Sequence, residues 1–507
     1  MNARPAPGGW IGRVDVSGAL NLVGLVLRYL SAAFLFPVAI ALWNGESVWP
    51  FLAAAALTGG AGWVLEKTTA GRERIGLREA FLVVSVTWLA AAFFVSLPYV
   101  FSGQEQFASP LDAYFEAMSG MTTTGATILT DVDTLPRGLA MWRQLSQWLG
   151  GMGIIVLALA VLPRLRVGGR QLLESELPGP EVERLTASIR TIARRLWALY
   201  VALTVLQIAV LAVIGWTGLD PRMTLYNAVA HSFATLPTGG FSTHARSIEY
   251  FGAASQWAFI VFMLIAGVNF ALIYRALRRH AGVWRDEELR FYLALLAVAS
   301  AAVLAKLLQR DVYEGEEAVR QSVFQVVSMM TTTGFASADF NAWPIFTGLV
   351  LVLLMVIGGS AGSTAGAIKV VRVLLLGRIL RRELDQTVHR EAVVPIRFNG
   401  VALDERTVRG IGAFILLYGL IFVAGVMGLA VSEAVATAEN DLAWEEGISA
   451  VATTLGNVGP GLGFLGPMGS FEPFSPVSKV ILIVLMWAGR LELLPVVVLL
   501  TRGYWRR

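Results

Sequence analysis

Four short segments rich in Thr and Gly recur along this chain of 507 residues, each just ahead of a long apolar stretch. They are MTTTGAT (Met121 to Thr127), LPTGGFS (Leu236 to Ser242), MTTTGFAS (Met330 to Ser337) and TTLGNVGPG (Thr453 to Gly461). Irregular polar backbone beside apolar sequence leaves few folds open, because at membrane depth it survives only where it lines water or is buried in protein. Glycine adopts backbone angles that let consecutive carbonyls face one axis, and carbonyls so arranged replace the water shell of a cation. The glycines Gly125, Gly239, Gly334 and Gly456 stand between 95 and 122 residues apart, room for two spanning helices and a re-entrant loop in each interval. Four such turns close a ring within one chain.

Composition names the solvent. Hydrophobic residues make up 56% of the chain and charged residues only 15%, and the mean hydropathy is +0.64. These values fit a polytopic membrane protein whose first partner is the lipid bilayer. The net charge of +4 comes from basic residues in loops between apolar runs. The positive-inside rule accounts for them there, so nucleic acid is not expected as a partner. With no Cys there is no disulfide framework and no thiolate metal site or nucleophile. Four His and no His–acid motif leave a polytopic membrane enzyme as a remote alternative, since it would lack a nucleophile with its base.

Apolar runs predict two initial spans, Leu22 to Trp43, retained rather than cleaved, and Trp49 to Leu65. The basic segment Lys67 to Arg78 follows, placed in the cytoplasm. Then come four pairs: Phe81 to Phe101 with Gly138 to Leu162, Leu196 to Trp216 with Gln256 to Leu277, Leu289 to Leu308 with Ile345 to Leu376, and Ile411 to Val431 with Val477 to Leu500. The expected fold is an all-α polytopic membrane protein of about ten transmembrane helices, with four helix–pore-loop–helix repeats around one pore plus two extra N-terminal helices. The divisions are 1–75 for the two-helix extension and 76–170, 171–282, 283–390 and 391–507 for the repeats.

Charge asymmetry agrees with this topology and puts both termini inside. Inner segments carry Arg164, Arg166, Arg170, Arg184, Arg190, Arg194 and Arg195, then Arg275, Arg278, Arg279 and Arg285, then Arg378, Arg381 and Arg382, and finally Arg502, Arg506 and Arg507. Outer segments carry Asp131, Asp133, Glu314, Glu316, Glu317, Glu433, Glu439, Asp441, Glu445 and Glu446, which raise cation concentration at a mouth. Ahead of the turns lie Asp112 to Met121, Thr224 to Thr235, Ala318 to Met330 and Leu442 to Thr453. Such lengths cannot cross a hydrocarbon layer of about 30 Å as a helix, but they can enter halfway and aim a negative C-terminal dipole at an ion.

The turns, together with QWLGGMGIIV (Gln147 to Val156), GGSAGSTAGAIKV (Gly358 to Val370) and GRLELL (Gly489 to Leu494), resemble the Trk/Ktr/HKT superfamily of potassium transporters. The resemblance covers nearly the whole chain, and the two extra N-terminal spans make it similar to the TrkH type rather than the shorter KtrB type. It implies potassium as the transported substrate, no covalently bound cofactor, a bacterial inner membrane, and a homodimer with a separate pore in each subunit. It also implies a cytosolic partner, a ring of nucleotide- and NAD-binding TrkA-type regulatory subunits docking on the basic inner loops. The chain itself shows no Gly-rich strand-to-helix fingerprint, so any nucleotide belongs to that partner.

Carried over residue by residue, the resemblance implies a filter of Thr123, Thr124 and Gly125; Pro237, Thr238 and Gly239; Thr332, Thr333 and Gly334; and Thr454, Leu455 and Gly456. Potassium contacts are expected at Thr123, Thr124, Thr238, Thr332, Thr333, Thr454 and Leu455. In this superfamily Ser at the first glycine goes with sodium permeation and a full set of Gly with potassium, and here all four are Gly. Pro237 and Leu455 depart from the Thr of the other turns.

In GGSAGSTAG the residues Gly358, Gly359, Ser360, Gly362, Ser363, Thr364 and Gly366 are either a face for close helix packing or a break in the helix. The resemblance implies the second, an intramembrane loop below the filter that obstructs the pore and moves on opening, with Lys369 at its end. Arg490 stands between apolar runs with Glu492 two positions on. It reads either as half of a structural ion pair with Glu492 or as an electrostatic barrier touching that loop. Asp339 and Asn457 tune the outer mouth or stabilise their own turns, and His231 is a hydrogen-bonded core residue. Gated conduction and symport coupled to sodium or protons remain alternatives, because coupling depends on barrier heights that a sequence does not display.

Overall fold

The computed structural model describes residues 14–69, 76–165, 182–278, 282–436 and 442–505, with side chains at all of these except 77, 152 and 154–192. Arg166, Arg170, Arg279, Glu439, Asp441, Arg506 and Arg507 of the expected charge pattern lie outside them, as do the side chains of Arg164, Arg184 and Arg190. The described chain is helical apart from turns and one antiparallel hairpin, Arg397–Phe398 with Val401–Ala402. In order the helices are α1 (Val16–Ala33), α2 (Leu35–Asn44), α3 (Trp49–Thr68), α4 (Leu77–Phe101), α5 (Pro110–Met121), α6 (Arg137–Leu165), α7 (Val182–Trp216) and α8 (Leu225–Thr235). They continue as α9 (Ala253–Ala266), α10 (Phe270–Leu277), α11 (Glu287–Gln309), α12 (Gly315–Met330), α13 (Ile345–Ile357) and α14 (Val370–Val388). The last are α15 (Glu405–Ala436), α16 (Trp444–Gly456), α17 (Pro476–Arg490), α18 (Leu494–Leu499) and α19 (Arg502–Trp505).

Five helical stretches are long and apolar enough to cross a membrane: Val16–Asn44, Arg78–Phe101, Ala193–Trp216, Glu287–Gln309 and Glu405–Ala436. A sixth, α9 with α10, passes as a pair bent by 102°. These helices keep an apolar outer face. On α15, Leu416, Leu420, Val423, Met427 and Val431 are each 60% or more exposed, the stripe a helix offers to lipid. The short helices α5, α8, α12 and α16 invert that pattern. Ala113, Phe115, Ala117 and Met118 of α5 and Phe324, Val326, Met329 and Met330 of α12 have no exposed surface. A helix of 12 residues such as α5 runs about 18 Å, roughly half the hydrocarbon thickness. Local chemistry starts these helices where the chain needs them. Pro110 opens α5, Thr224 caps α8 by accepting from Asn227 N, and Pro476 opens α17 behind the Ser475 cap.

Three of the expected spans are broken. The one expected at Gln256 to Leu277 bends at Gly267–Val268–Asn269 between α9 and α10. The one at Ile345 to Leu376 is interrupted by residues 358–369, where the small residues sit. The one at Val477 to Leu500 breaks after Arg490, where Glu492 and Leu493 take φ of +55° and +60°. By contrast α6 runs unbroken through 29 residues.

At the N-terminal end α1 and α3 cross through glycines. A Cβ at Gly62 would stand 2.7 Å from Gly24 O, and one at Gly24 would stand 2.8 Å from Gly62 O. Only hydrogen side chains permit this crossing. Gly62→Leu is therefore expected to push the two helices apart and to destabilise the protein by about 1–3 kcal/mol, the usual range for overpacking. A detergent melting curve unchanged from wild type would show that the crossing is not close-packed.

Candidate functional site

Each of the four buried short helices ends in the same backbone figure. In the first, Thr123 takes φ +51°, its N–H donates to Gly120 O at 3.0 Å, and Thr124 N donates to Ser119 O at 2.9 Å. Thr238 (φ +56°) repeats this, with bonds from its own N–H to Thr235 O and from Gly239 N to Ala234 O. So does Thr332 (φ +56°), with bonds to Met329 O and from Thr333 N to Ser328 O. Asn457 (φ +54°) completes the set, with bonds to Thr454 O and from Val458 N to Thr453 O. These are Schellman ends, which satisfy the last carbonyls of a helix through one left-handed residue. Glycine is the usual occupant. β-Branched Thr at positive φ is strained by roughly 1–3 kcal/mol, a strain typical of functional sites.

Two positions after each left-handed residue stands a second left-handed position: Gly125 (φ +83°), Gly240 (+78°), Gly334 (+75°) and Gly459 (+113°). Here the turns meet. A Cβ at Gly125 would lie 2.2 Å from Gly239 O, one at Gly240 2.0 Å from Thr333 O, one at Gly334 1.8 Å from Val458 O, and one at Gly459 2.9 Å from Thr124 O. The approaches run from the first turn to the second, third, fourth and back to the first. A concavity touches all four of these glycines.

The equivalent triplets are therefore Thr123-Thr124-Gly125, Thr238-Gly239-Gly240, Thr332-Thr333-Gly334 and Asn457-Val458-Gly459. The first and third match the register expected from sequence. In the second, the expected Pro237-Thr238-Gly239 is shifted by one, because adjacent glycines leave the sequence pattern ambiguous. In the fourth, Thr454, Leu455 and Gly456 lie in the last turn of α16, and the left-handed place falls to Asn457, since Asn tolerates that conformation best after Gly.

Beneath the ring lies the segment 358–369. Gly366 N donates to Thr332 Oγ1 at 2.8 Å, and Thr364 Oγ1 donates to Leu236 O at 2.9 Å. A Cβ at Gly366 would stand 2.2 Å from Gly456 O. The segment is docked on the break between α9 and α10 through Ser360 N to Gly267 O (2.9 Å) and Phe270 N to Gly362 O (3.1 Å). On α11 the Glu288 carboxylate accepts from Ala361 N at 2.6 Å. Lys369 Nζ turns back to Ala365 O. Arg490, 2% exposed, donates from Nη1 to Thr364 O at 2.9 Å. Glu492 does not pair with it; Glu492 Oε2 accepts from Arg372 at 2.5 Å, and Arg372 stacks on Phe414.

The profile of the TrkH family, described as a cation transport protein, matches residues 48–503. The Trk system potassium uptake protein TrkH of Escherichia coli K12 is 37% identical over 96% of this chain and 98% of its own length. The protein of the same name from Vibrio parahaemolyticus is 37% identical over 96% and 99%. The chain belongs to the TrkH family. A crystal structure of the potassium transporter TrkH from Vibrio parahaemolyticus superposes with a TM-score of 0.86 at 35% identity, covering 97% of this chain and 100% of that one. The Trk system potassium uptake protein TrkG of Escherichia coli K12 is 31% identical over 96% of the chain.

Steric contacts account for two glycine motifs of this TrkH-family chain. In QWLGG, a Cβ at Gly150 would stand 1.9 Å from Met121 O and one at Gly151 2.3 Å from Pro237 Cβ, so α6 presses on the ends of two short helices. In GRLELL, Gly489 lets α17 pass Leu455 O. His231 bonds Asn227 O and Ser242 Oγ and is a core residue, as expected. Asp339 accepts from Asn341 N within its own turn, whereas Asn457 reaches out to Thr124 Oγ1 (3.0 Å) and Met486 O (2.9 Å). At the concavity Asp133 meets His244, one of its lining residues, at 3.1 Å. Burial holds His244 below the ordinary imidazole range, although the hydrogen bond and charge of Asp133 oppose it.

One pair escaped the sequence reading. Glu116 of α5 and Arg143 of α6 form an ion pair at 2.7 Å, 0% and 1% exposed. Glu116 also accepts from Thr127 Oγ1 and Ile128 N, each at 3.0 Å, and Arg143 donates to Ser242 O at 3.2 Å. The pair therefore ties the exits of the first and second turns together. Its signal was a charge of each sign inside segments otherwise apolar. Glu116→Ala leaves Arg143 buried and alone, and is expected to lower stability by about 3–5 kcal/mol. Thermal unfolding in detergent reads the loss; a shift within error would mean that the pair is solvated.

Proposed function

We propose that this chain is the ion-translocating membrane subunit of a potassium uptake system, carrying potassium through the ring of four turns. The single observation behind this reading is the closed cycle of approaches among the four Gly-bearing turns, which sets backbone carbonyls around one axis at the buried ends of four short helices. Carbonyls so placed substitute for a hydration shell. The relatives named as potassium uptake proteins supply the substrate. The proposed filter is Thr123 to Gly125, Thr238 to Gly240, Thr332 to Gly334 and Asn457 to Gly459, with the second and fourth triplets in the register the backbone figure supports. The loop from Gly358 to Lys369 is the gate, and Arg490 holds it through Thr364 O. One obstruction on the inner side, with a concavity reaching the glycines from the outer side, supports gated conduction over coupled symport. The remaining assignments are a bacterial inner membrane with both termini cytoplasmic, a homodimer, and a TrkA-type nucleotide-binding partner on the basic inner loops.

Rubidium uptake into proteoliposomes, with sodium as competitor, tests the reading. Preference for rubidium and potassium over sodium is expected, and equal fluxes would overturn it. Gly125→Ser is expected to raise relative sodium permeation, because any side chain there displaces Gly239 O. Selectivity identical to wild type in a folded Gly125→Ser protein would remove Gly125 from the filter.

Arg490→Ala tests the gate. A unit charge even ~10 Å from the path opposes a cation by about 1.7 kcal/mol at an effective dielectric of ~20. Its removal should raise uptake about tenfold or more. Lower uptake together with a large fall in melting temperature would make Arg490 structural.

A further inference from the structure

The four turns are not held alike. In the first and third, the middle Thr is tied by a hydroxyl pair, Thr122 with Thr124 and Thr331 with Thr333, each at 2.8 Å. The second turn has neither hydroxyl, since Pro237 and Gly239 stand in those places. What holds it comes from another helix. Gln147 of α6, fully buried, donates from Nε2 to Gly239 O at 2.6 Å and accepts from Phe241 N at 3.1 Å. One carboxamide thus clasps the backbone on both sides of Gly240.

Space and sequence agree with this exchange. A Cβ at Gly239 would lie 2.4 Å from Gln147 Cδ and 2.5 Å from its Oε1, so the amide fills the volume that a Thr side chain occupies in the first and third turns. Gly239 O is also one of the four carbonyls that meet the preceding turn's glycine, the others being Thr124 O, Thr333 O and Val458 O. Among the described residues it is the one of these four that accepts a hydrogen bond.

We propose that Gln147, outside the four turns, is a positioning residue that determines ion specificity by fixing the Gly239 carbonyl and the backbone around Gly240. The inference rests on the reading of the ring as a potassium filter. An N–H at 2.6 Å holds that carbonyl in place, so this quarter of the ring cannot contract around a smaller cation. Without the clasp the Gly239–Gly240 pair, which has no side chain to restrict its backbone, is free to follow a sodium ion inward.

The test is sodium competition against rubidium uptake in proteoliposomes containing the full chain, with wild type, Gln147→Met and Gln147→Glu compared at equal protein. Gln147→Met preserves the length of the side chain and removes donor and acceptor; Gln147→Glu, when ionised, keeps the acceptor for Phe241 N and removes the donor. Losing one hydrogen bond to the ring should reduce the preference for rubidium over sodium by about threefold to tenfold. A folded Gln147→Met protein with the wild-type preference overturns the proposal, even if its melting temperature has fallen. If Gln147→Met does not fold, Gln147→Glu is measured in its place, and failure of both to fold makes Gln147 structural, which also overturns it. Wild-type protein that does not discriminate between rubidium and sodium defeats the filter reading itself, an outcome distinct from failure of the Gln147 variants alone.

Discussion

A backbone carbonyl at membrane depth must find a donor, a cation or water, and this requirement shapes the centre of the molecule. Four short helices end there, each with carbonyls no further helical turn can satisfy. The left-handed residues Thr123, Thr238, Thr332 and Asn457 answer within the chain by folding the following N–H groups back onto those carbonyls. What remains are the carbonyls of the turns, packed against the glycines of their neighbours. The long helices serve this arrangement from outside, with polar tips and buried charges turned inward and aliphatic faces outward.

The layer beneath the ring follows from the same requirement. Helices that interrupt themselves release further backbone groups, and here they satisfy one another. The break between α9 and α10 receives the loop between α13 and α14 through two backbone bonds, while Glu288 and Thr332 take two more of its N–H groups. The third break, after α17, presents Glu492 to Arg372 at the start of α14. Glycine and strained φ values cluster in this layer, at Gly358, Gly362, Ala367, Lys369, Glu492 and Leu493. A layer that trades backbone partners in this way leaves none of these broken-helix groups for lipid to satisfy.

Much of this was legible in the sequence. The short helices ahead of the turns were visible because their signals are local: a length too short to span, apolar filling, and a Thr- or Gly-rich run at the end. The TrkH-type resemblance was carried by glycines whose reason is steric, such as Gly150 and Gly489. The register of two turns was not legible. Gly239 and Gly240 are both able to take the glycine place, and in GNVG the left-handed residue is Asn457 rather than Gly456. The breaks at 267–269 and 491–493 were hidden because Val268, Leu491 and Leu493 let hydropathy run straight through them. Glu116 and Arg143 sit 27 positions apart, a distance that hides a partnership from any local pattern.

The unequal fastening of the turns has an evolutionary reading. A pore made from identical subunits changes all its quarters with every substitution, so a residue near the axis must be acceptable four times over. Here one chain supplies every quarter, two fastened by hydroxyl pairs and two by the carboxamides of Gln147 and Asn457. A substitution touches one quarter, or two where a fastening such as Asn457 to Thr124 joins them, so on the proposed reading of the ring the preference among ions can drift in small increments.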